Sequence, residues 1–100
     1  MAQLSYSRQA LKDLQGISDY LLEQGEDAQD ILHTLDLIDE AIGILARHPL
    51  IGRLAESDLR ELVISHGRTG YIALYSWEAD YDAVLLLALR HQRQAGFRDN

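Results

Sequence analysis

The sequence AVLLLALRHQR, residues 83–93, decides the fold. Its first seven residues carry no polar side chain, and four polar residues follow them without a spacer. A run of seven apolar residues is too short to cross a membrane. It fits either a strand buried on both faces or a buried helical segment. The turn before it, and the aromatic segment before that turn, favour a strand whose polar end leaves the core.

Two more strands are predicted immediately before this run. Residues 59–65 (LRELVIS) and 71–78 (YIALYSWE) are rich in the β-branched and aromatic residues that strands favour. Short turns at residues 66–70 and 79–82 join the three segments, which predicts an antiparallel meander. Because residues 83–89 are apolar on both faces, we expect other elements to cover both faces of the last strand.

The first half of the chain predicts a strand followed by two helices. Residues 2–6 alternate apolar and polar side chains, as a half-buried strand does, and Ser7 suits the N-cap of a helix. Residues 8–24 and 28–46 repeat apolar side chains every three or four positions, which predicts two amphipathic helices. Gly25 is a natural helix stop, and Asp27 can cap the second helix. The short connection predicts that the two helices form an antiparallel hairpin.

A loop is predicted over residues 47–58, because Pro49 and Gly52 interrupt regular structure. We expect its apolar side chains to hold it against the core. These side chains are Leu50, Ile51 and Leu54. The fold class is therefore α+β with the order β-α-α-β-β-β, a helical hairpin packed on a small, mainly antiparallel sheet. We expect residues 1–100 to form one domain.

Charge is distributed unevenly along the chain. The total is −7, and residues 1–46 alone carry two basic and nine acidic side chains, whereas residues 47–100 are balanced and use arginine only. Acidic character disfavours broad affinity for nucleic acid, which depends on neutralising phosphates. There is no cysteine and no histidine spacing typical of a metal site. The start of the chain lacks the apolar segment of a secretory signal, so we expect a cytoplasmic protein.

The polar exit of the last strand predicts a site. Strands of a meander alternate in direction, so residues 89–93 and the turn at 66–70 should share one edge of the sheet. That edge would bring together basic side chains beside Tyr71. They are His66, Arg68, Arg90, His91 and Arg93. Such a cluster could bind a phosphate or act on one as acid and base. The alternative is a solubilising rim in which Arg90 or Arg93 pairs with Glu61 or Glu78.

These segments together resemble the RelE/ParE superfamily of type II toxin–antitoxin toxins, most of all its ParE branch, often described as plasmid stabilisation proteins. Single motifs are weak, but their order and spacing cover nearly the whole chain. The motifs are AxxDL (Ala10, Asp13, Leu14), HPLIG (residues 48–52), LREL (59–62), GYIALY (70–75) and ALRHQR (88–93).

The resemblance implies a growth-inhibiting toxin that a cognate, ParD-like antitoxin with a disordered C-terminal segment holds inactive. ParE-type toxins act on DNA gyrase, whereas RelE-type toxins cleave mRNA on the ribosome. We therefore expect a gyrase inhibitor without a cofactor or metal, which binds neither membranes nor specific nucleic-acid sequences by itself. A ribosome-dependent endoribonuclease and a non-toxic interaction module are the alternatives.

The family motifs and the predicted shared edge together give two sets of candidate residues. If the protein is a nuclease, the catalytic candidates are Arg68, His91 and Arg93. The candidates for binding the antitoxin or the target are Arg60, Arg68, Tyr71, Arg90, His91 and Arg93. An antitoxin tail could add a strand to an exposed sheet edge and place an amphipathic helix against the helical hairpin.

Overall fold

A computed structural model describes residues 1–66 and 69–92, except for the side chains of residues 65, 66 and 69. Two α-helices pack on a five-stranded sheet, and short 3-10 turns follow α2, β2 and β4. The elements are β1 (Gln3–Tyr6), α1 (Arg8–Glu23), α2 (Ala28–Gly43), β2 (Arg53–Leu54), β3 (Arg60–His66), β4 (Thr69–Glu78) and β5 (Ala83–His91). The predicted α+β class and the order of the main elements are confirmed.

Each helix begins directly after its N-capping residue, Ser7 for α1 and Asp27 for α2. The Ser7 hydroxyl accepts a hydrogen bond from the Ala10 N–H at 3.0 Å, and the Asp27 carboxylate accepts one from the Asp30 N–H at 2.9 Å. Each bond satisfies a first-turn N–H that has no partner within the helix. Gly25, just after α1, has φ of 83°, a left-handed conformation that glycine adopts at little cost. The predicted caps and the predicted stop are therefore confirmed.

The sheet has the strand order β1-β5-β4-β3-β2. Strands β2 to β5 pair antiparallel, as the short connections predict, but β1 pairs parallel with β5. The sheet is therefore mixed, with β5 and β4 near its middle. A β-bulge interrupts the pairing of β4 with β5, because Leu74 lies opposite Ala88 whereas Tyr75 lies opposite Leu86. Leu87 is the extra residue.

The core lies between the helices and one face of the sheet. Its largest fully buried side chains come from α2 and the 3-10 turn after it, and from β4 and β5. They are Tyr75, Ile38, Ile42, Leu45, Leu86 and Val84. Burying an aliphatic or aromatic side chain of this kind stabilises the fold by about 1.5–3 kcal/mol. No helix in the described part of the chain is long and apolar enough to span a membrane.

The second face of β5 differs from the prediction. Val84 and Leu86 are buried against the helices, but Leu85 and Leu87 are only half-buried. Within residues 1–66 and 69–92, helices cover one face of the sheet, so the expected second cover is not found there. The same face carries Ile72 and Leu74, also half-buried. Among the described residues, no helix or strand covers this apolar face.

The loop after α2 also corrects a prediction. It contains the two-residue strand β2, and its apolar side chains do not pin it to the core. Leu50, Ile51 and Leu54 are 57%, 56% and 68% exposed. Instead, polar groups of β3 and β4 hold the backbone of the loop, as described below. An apolar side chain in a loop predicts only an average tendency to be buried.

Candidate functional site

A polar cleft lies where α1 crosses the end of β5. It has a volume of about 220 Å³ and is lined by side chains from these two elements. Its polar and charged lining residues are Lys12, Asp13, Tyr20, Arg90 and His91. An ammonium, a carboxylate, a phenol, a guanidinium and an imidazole therefore share one small space.

Two side chains from the start of α1 hold the irregular part of β5 in place. The Ser7 hydroxyl donates to the Leu87 carbonyl at 3.0 Å, and the Asp13 carboxylate accepts from the Leu89 N–H at 2.9 Å. A bulge leaves backbone groups outside the regular ladder, and these two bonds satisfy them. Asp13 is thus a positioning residue for the end of β5. Sequence reasoning found its motif but not this role, because only the three-dimensional pairing places Asp13 beside Leu89.

His91 packs against Tyr71 of the neighbouring strand. The ring centroids are 5.4 Å apart and the planes meet at 81°, an edge-to-face contact that aromatic rings favour. Tyr71 itself is only 2% exposed. Burial raises the pKa of the Tyr71 phenol above its ordinary value of 10.0, and the nearby Glu26 and Tyr20 raise it further. Tyr71 is therefore a neutral packing partner that orients the His91 ring.

The predicted shared edge is confirmed. The Gln92 N–H donates to the Gly70 carbonyl at 2.7 Å, so the exit of β5 lies beside the start of β4. The structure brings Tyr71, Arg90 and His91 to this edge. Arg68 and Arg93 lie outside the described residues, as does the side chain of His66. Glu61, one partner of the alternative rim, pairs with Arg53 at 3.1 Å.

Arg60 lies away from the cleft, at the other end of the sheet. It pairs with Tyr75, whereas His91 pairs with Tyr71 on the same strand β4. Four strand residues separate these positions, about 13 Å at 3.3 Å per residue. The Arg60 guanidinium donates to the Gly52 carbonyl at 2.7 Å and to the Leu50 carbonyl at 3.2 Å. The predicted candidates are therefore not one site, since Arg60 supports the loop before β3.

The cleft has the groups for proton transfer and for anion binding, but Asp13 places a carboxylate among them. That negative charge opposes the binding of a polyanion in the same space. Within residues 1–66 and 69–92, no three His, Cys, Asp or Glu side chains come together in an arrangement that would hold a metal ion. The cleft therefore combines cationic side chains with one carboxylate.

Solved toxin structures share this fold. A chain of the chromosomal ParDE toxin–antitoxin system from P. aeruginosa aligns with a TM-score of 0.74, at 22% identity, over 89% of this chain and 94% of its own length. The isolated E. coli RelE toxin aligns with a TM-score of 0.62, at 12% identity, over 96% of this chain and 89% of its own. The architecture is therefore that of the RelE/ParE class.

Sequence comparison places the chain within that class. Residues 4–96 match the family described as the ParE toxin of the type II toxin–antitoxin system parDE. A curated relative, Toxin RelE3 of Caulobacter vibrioides, is 32% identical over 91 residues, which cover 91% of this chain and 95% of the relative. The chain belongs to the ParE toxin family of the RelE/ParE superfamily. The resemblance inferred from its motifs is confirmed.

Proposed function

We propose that this protein is a ParE-type toxin that acts in the cytoplasm, inhibits DNA gyrase by binding it, and is neutralised by a cognate ParD-like antitoxin. Family membership supports the toxin assignment, and the resemblance described above supports the target. The observation that favours binding over cleavage is the placement of the basic residues. Arg60 is engaged with loop carbonyls, and Lys12, Arg90 and His91 share their cleft with Asp13.

The open edge of β3 fits the extended part of an antitoxin. Strand β2 pairs only with Arg60 and Glu61, so the rest of β3 has no strand on that side in the described part of the chain. The Leu59 carbonyl accepts from the Ala55 N–H, so alternate backbone groups, including those of Val63, point toward the same side. Val63 is also exposed. Unpaired N–H and C=O groups of this kind recruit an added strand.

A groove between α1 and α2 fits the helical part of an antitoxin. It has a volume of about 380 Å³, with apolar side chains such as Leu11, Leu14 and Leu35 beside Asp36 and Asp39. An amphipathic helix would place its apolar face there and basic side chains against the carboxylates. Arg90 and His91, at the mouth of the cleft, would add contacts near the open end of β3.

A supercoiling assay with purified gyrase tests the proposed target. Added toxin should inhibit supercoiling and leave a complex of gyrase with cleaved DNA, and an excess of antitoxin should reverse the inhibition. The single variant His91→Ala should still inhibit, because no chemical step is required. If a large excess of folded toxin produced no inhibition and no cleaved DNA, the result would contradict the proposal.

A ribonuclease is the second candidate, since Lys12, Tyr20 and His91 line one cleft. These are side chains that can move protons and stabilise a phosphate without a metal. Primer extension on cellular mRNA after induction of the toxin tests it directly. Codon-linked cuts that disappear in a Lys12→Ala/His91→Ala variant would establish this function in place of the first. Normal growth on induction without antitoxin would favour the non-toxic interaction module over both.

A further inference from the structure

The loop before β3 displays a cluster of aliphatic side chains to solvent. Leu50 and Ile51 project from it, Leu54 follows in β2, and the 46%-exposed Ile44 precedes it at the end of α2. We call Leu50, Ile51 and Trp77, which line one depression, the Leu50 patch. Contiguous apolar surface of this kind marks an interaction site, because exposing it to water is unfavourable.

Polar side chains of β3 and β4 hold the backbone of this apolar loop in place. The Tyr75 hydroxyl accepts from the Gly52 N–H at 2.9 Å and donates to the Pro49 carbonyl at 2.8 Å. Arg60 adds its two bonds to the carbonyls of Leu50 and Gly52. A side chain at Gly52 would lie 2.6 Å from the Tyr75 hydroxyl and 2.7 Å from the Glu61 carbonyl, so only glycine fits. The loop is thus fixed before any partner arrives, which lowers the entropic cost of binding.

The patch contains an open apolar depression. It has a volume of about 460 Å³ and is lined by His48, Pro49, Leu50, Ile51 and Trp77. Space of this size accepts an aliphatic or aromatic side chain from a partner. Aromatic and aliphatic anchors in such pockets carry much of the binding energy of an interface.

The charges around the patch select the partner. Exposed Arg47 and His48 precede Pro49, whereas Arg53, which follows Gly52, is paired with Glu61 at 3.1 Å. A second copy of this chain, docked patch to patch, would bring Arg47 close to its own copy, which is unfavourable. A partner with carboxylates around an apolar side chain would complement both the depression and its rim.

We propose that the Leu50 patch is the surface that engages the cellular target of the toxin, through an apolar side chain of the target flanked by acidic residues. The proposal rests on the proposed toxin function and adds which surface of the toxin binds the target. The antitoxin surfaces lie elsewhere, at the groove and at the open end of β3. Trp77 and Tyr71 are six residues apart along β4, about 20 Å at 3.3 Å per residue, so the patch and the His91 cleft mark opposite ends of one strand.

The variant Leu50→Asp/Ile51→Asp tests this surface. Both side chains are exposed, so the protein should fold, which circular dichroism and thermal unfolding check. Half-inhibition of gyrase should require at least about tenfold more of the variant, as expected when an interface anchor is lost. Antitoxin affinity should stay within about threefold of the original, since distant sites are usually independent. Leu22→Asp, at a residue 58% exposed on α1, is the matched control and should inhibit normally.

Charge reversal and a fluorine label test the chemistry of the contact. Arg47→Glu, at an exposed residue, should weaken inhibition and make it less sensitive to salt. Because Trp77 is the single tryptophan, 5-fluorotryptophan gives one ¹⁹F resonance at the patch. That resonance should shift or broaden when gyrase is added to the original protein, but not to Leu50→Asp/Ile51→Asp.

The outcomes separate this proposal from the proposed function. If the unaltered protein arrests growth but leaves gyrase active, gyrase is the wrong target, and growth arrest becomes the readout for the same variants. If Leu50→Asp/Ile51→Asp kept full toxicity, the proposal that the Leu50 patch binds the target would be wrong, whatever the target is. Loss of antitoxin binding with undiminished target inhibition would overturn it as well.

Discussion

The two ends of β4 are built in opposite ways. At the Tyr71 end, polar side chains face a cleft while helix α1 holds the backbone of β5 through Asp13. At the Trp77 end, apolar side chains face water while the buried Tyr75 holds the loop through its hydroxyl. The first end places polar groups where polar groups usually lie. The second inverts the usual order, with polar anchors inside and Leu50 and Ile51 outside.

The two ends of β4 therefore differ as candidates for a functional surface. A polar strand end is the ordinary way for a chain to meet solvent, and the cleft is explained largely by the need to satisfy backbone groups at a bulge. Stability alone does not explain a rigid loop that exposes two aliphatic side chains. The loop end is therefore the stronger candidate for recognition of a target, and the cleft end for structural and antitoxin contacts.

The largest effect is expected from Gly52→Ala, which adds a methyl group to the loop before β3, at the Trp77 end of β4. The added methyl would meet the Tyr75 hydroxyl at 2.6 Å and should destabilise the protein by about 3 kcal/mol, the upper part of the range for overpacking. Urea unfolding measures the change. Gly16→Ala in α1, where nothing lies within 4 Å, is the control and should stabilise by about 0.5–1 kcal/mol. Equal effects at the two positions would show that the loop is not tightly packed.

Tyr75→Phe removes the hydroxyl that holds the loop and leaves the packing of the ring unchanged. Two hydrogen bonds are lost, and a buried amide and a carbonyl are left unsatisfied, so stability should fall by about 2 kcal/mol. Amide exchange at Gly52 should accelerate because its N–H loses its acceptor. Tyr81→Phe, at an exposed position, should change neither quantity. If the Gly52 amide exchanged at the same rate in Tyr75→Phe, the Tyr75 hydroxyl would not be what holds the loop in place.

Asp13→Ala tests the cleft end, with a smaller expected effect. The Leu89 N–H loses its acceptor in a partly solvated position, so the cost should be about 1 kcal/mol. Faster exchange of the Leu89 amide in NMR spectra would accompany it. Asp19→Ala is the matched change on the same helix, since Asp19 accepts only an exposed bond from Gln15 in the described contacts. Equal stability of the two variants would argue against a positioning role for Asp13.

An effect that appears only at high pH concerns Tyr6, which lines the groove between α1 and α2. Burial, the charge of Asp39 and a hydrogen bond to it raise the pKa of Tyr6 from its ordinary value of 10.0 to about 12. A raised pKa favours the neutral phenol in the folded state, so its stabilisation is complete below pH 10 and is lost as the pH rises toward 12. The stability advantage of the unaltered protein over Tyr6→Phe should therefore shrink between these values, as followed by urea unfolding. A constant advantage across that range would contradict the pKa shift.

Local signals explain what was predictable in the fold. Ser7, Gly25 and Asp27 act within a few residues of themselves, so the sequence marks the helix ends reliably. The parallel pairing of β1 with β5 and the bulge at Leu87 depend on contacts between distant segments, which no local pattern contains. Leu50 and Ile51 were expected in the core because hydropathy predicts burial on average and carries no sign of a recognition surface.

The candidate site was predictable in the same partial way. Reversal of direction at each hairpin placed Tyr71, Arg90 and His91 at one edge, and the structure agrees. Arg60 was grouped with them as a binding candidate, but it stands at the start of β3 and therefore at the opposite end. Neither the bond of Asp13 to the β5 backbone nor that of Tyr75 to the loop is visible in the sequence, because each joins segments more than 20 residues apart.

A single paired measurement tests the central claim that target binding and antitoxin binding occupy opposite ends of β4. Leu50→Asp/Ile51→Asp and His91→Ala are each assayed for growth arrest on induction and for affinity to the antitoxin. We predict that the first variant loses toxicity and keeps the antitoxin, while the second keeps toxicity and binds the antitoxin more weakly. The reverse pattern, with toxicity lost in His91→Ala and intact in Leu50→Asp/Ile51→Asp, would contradict the account.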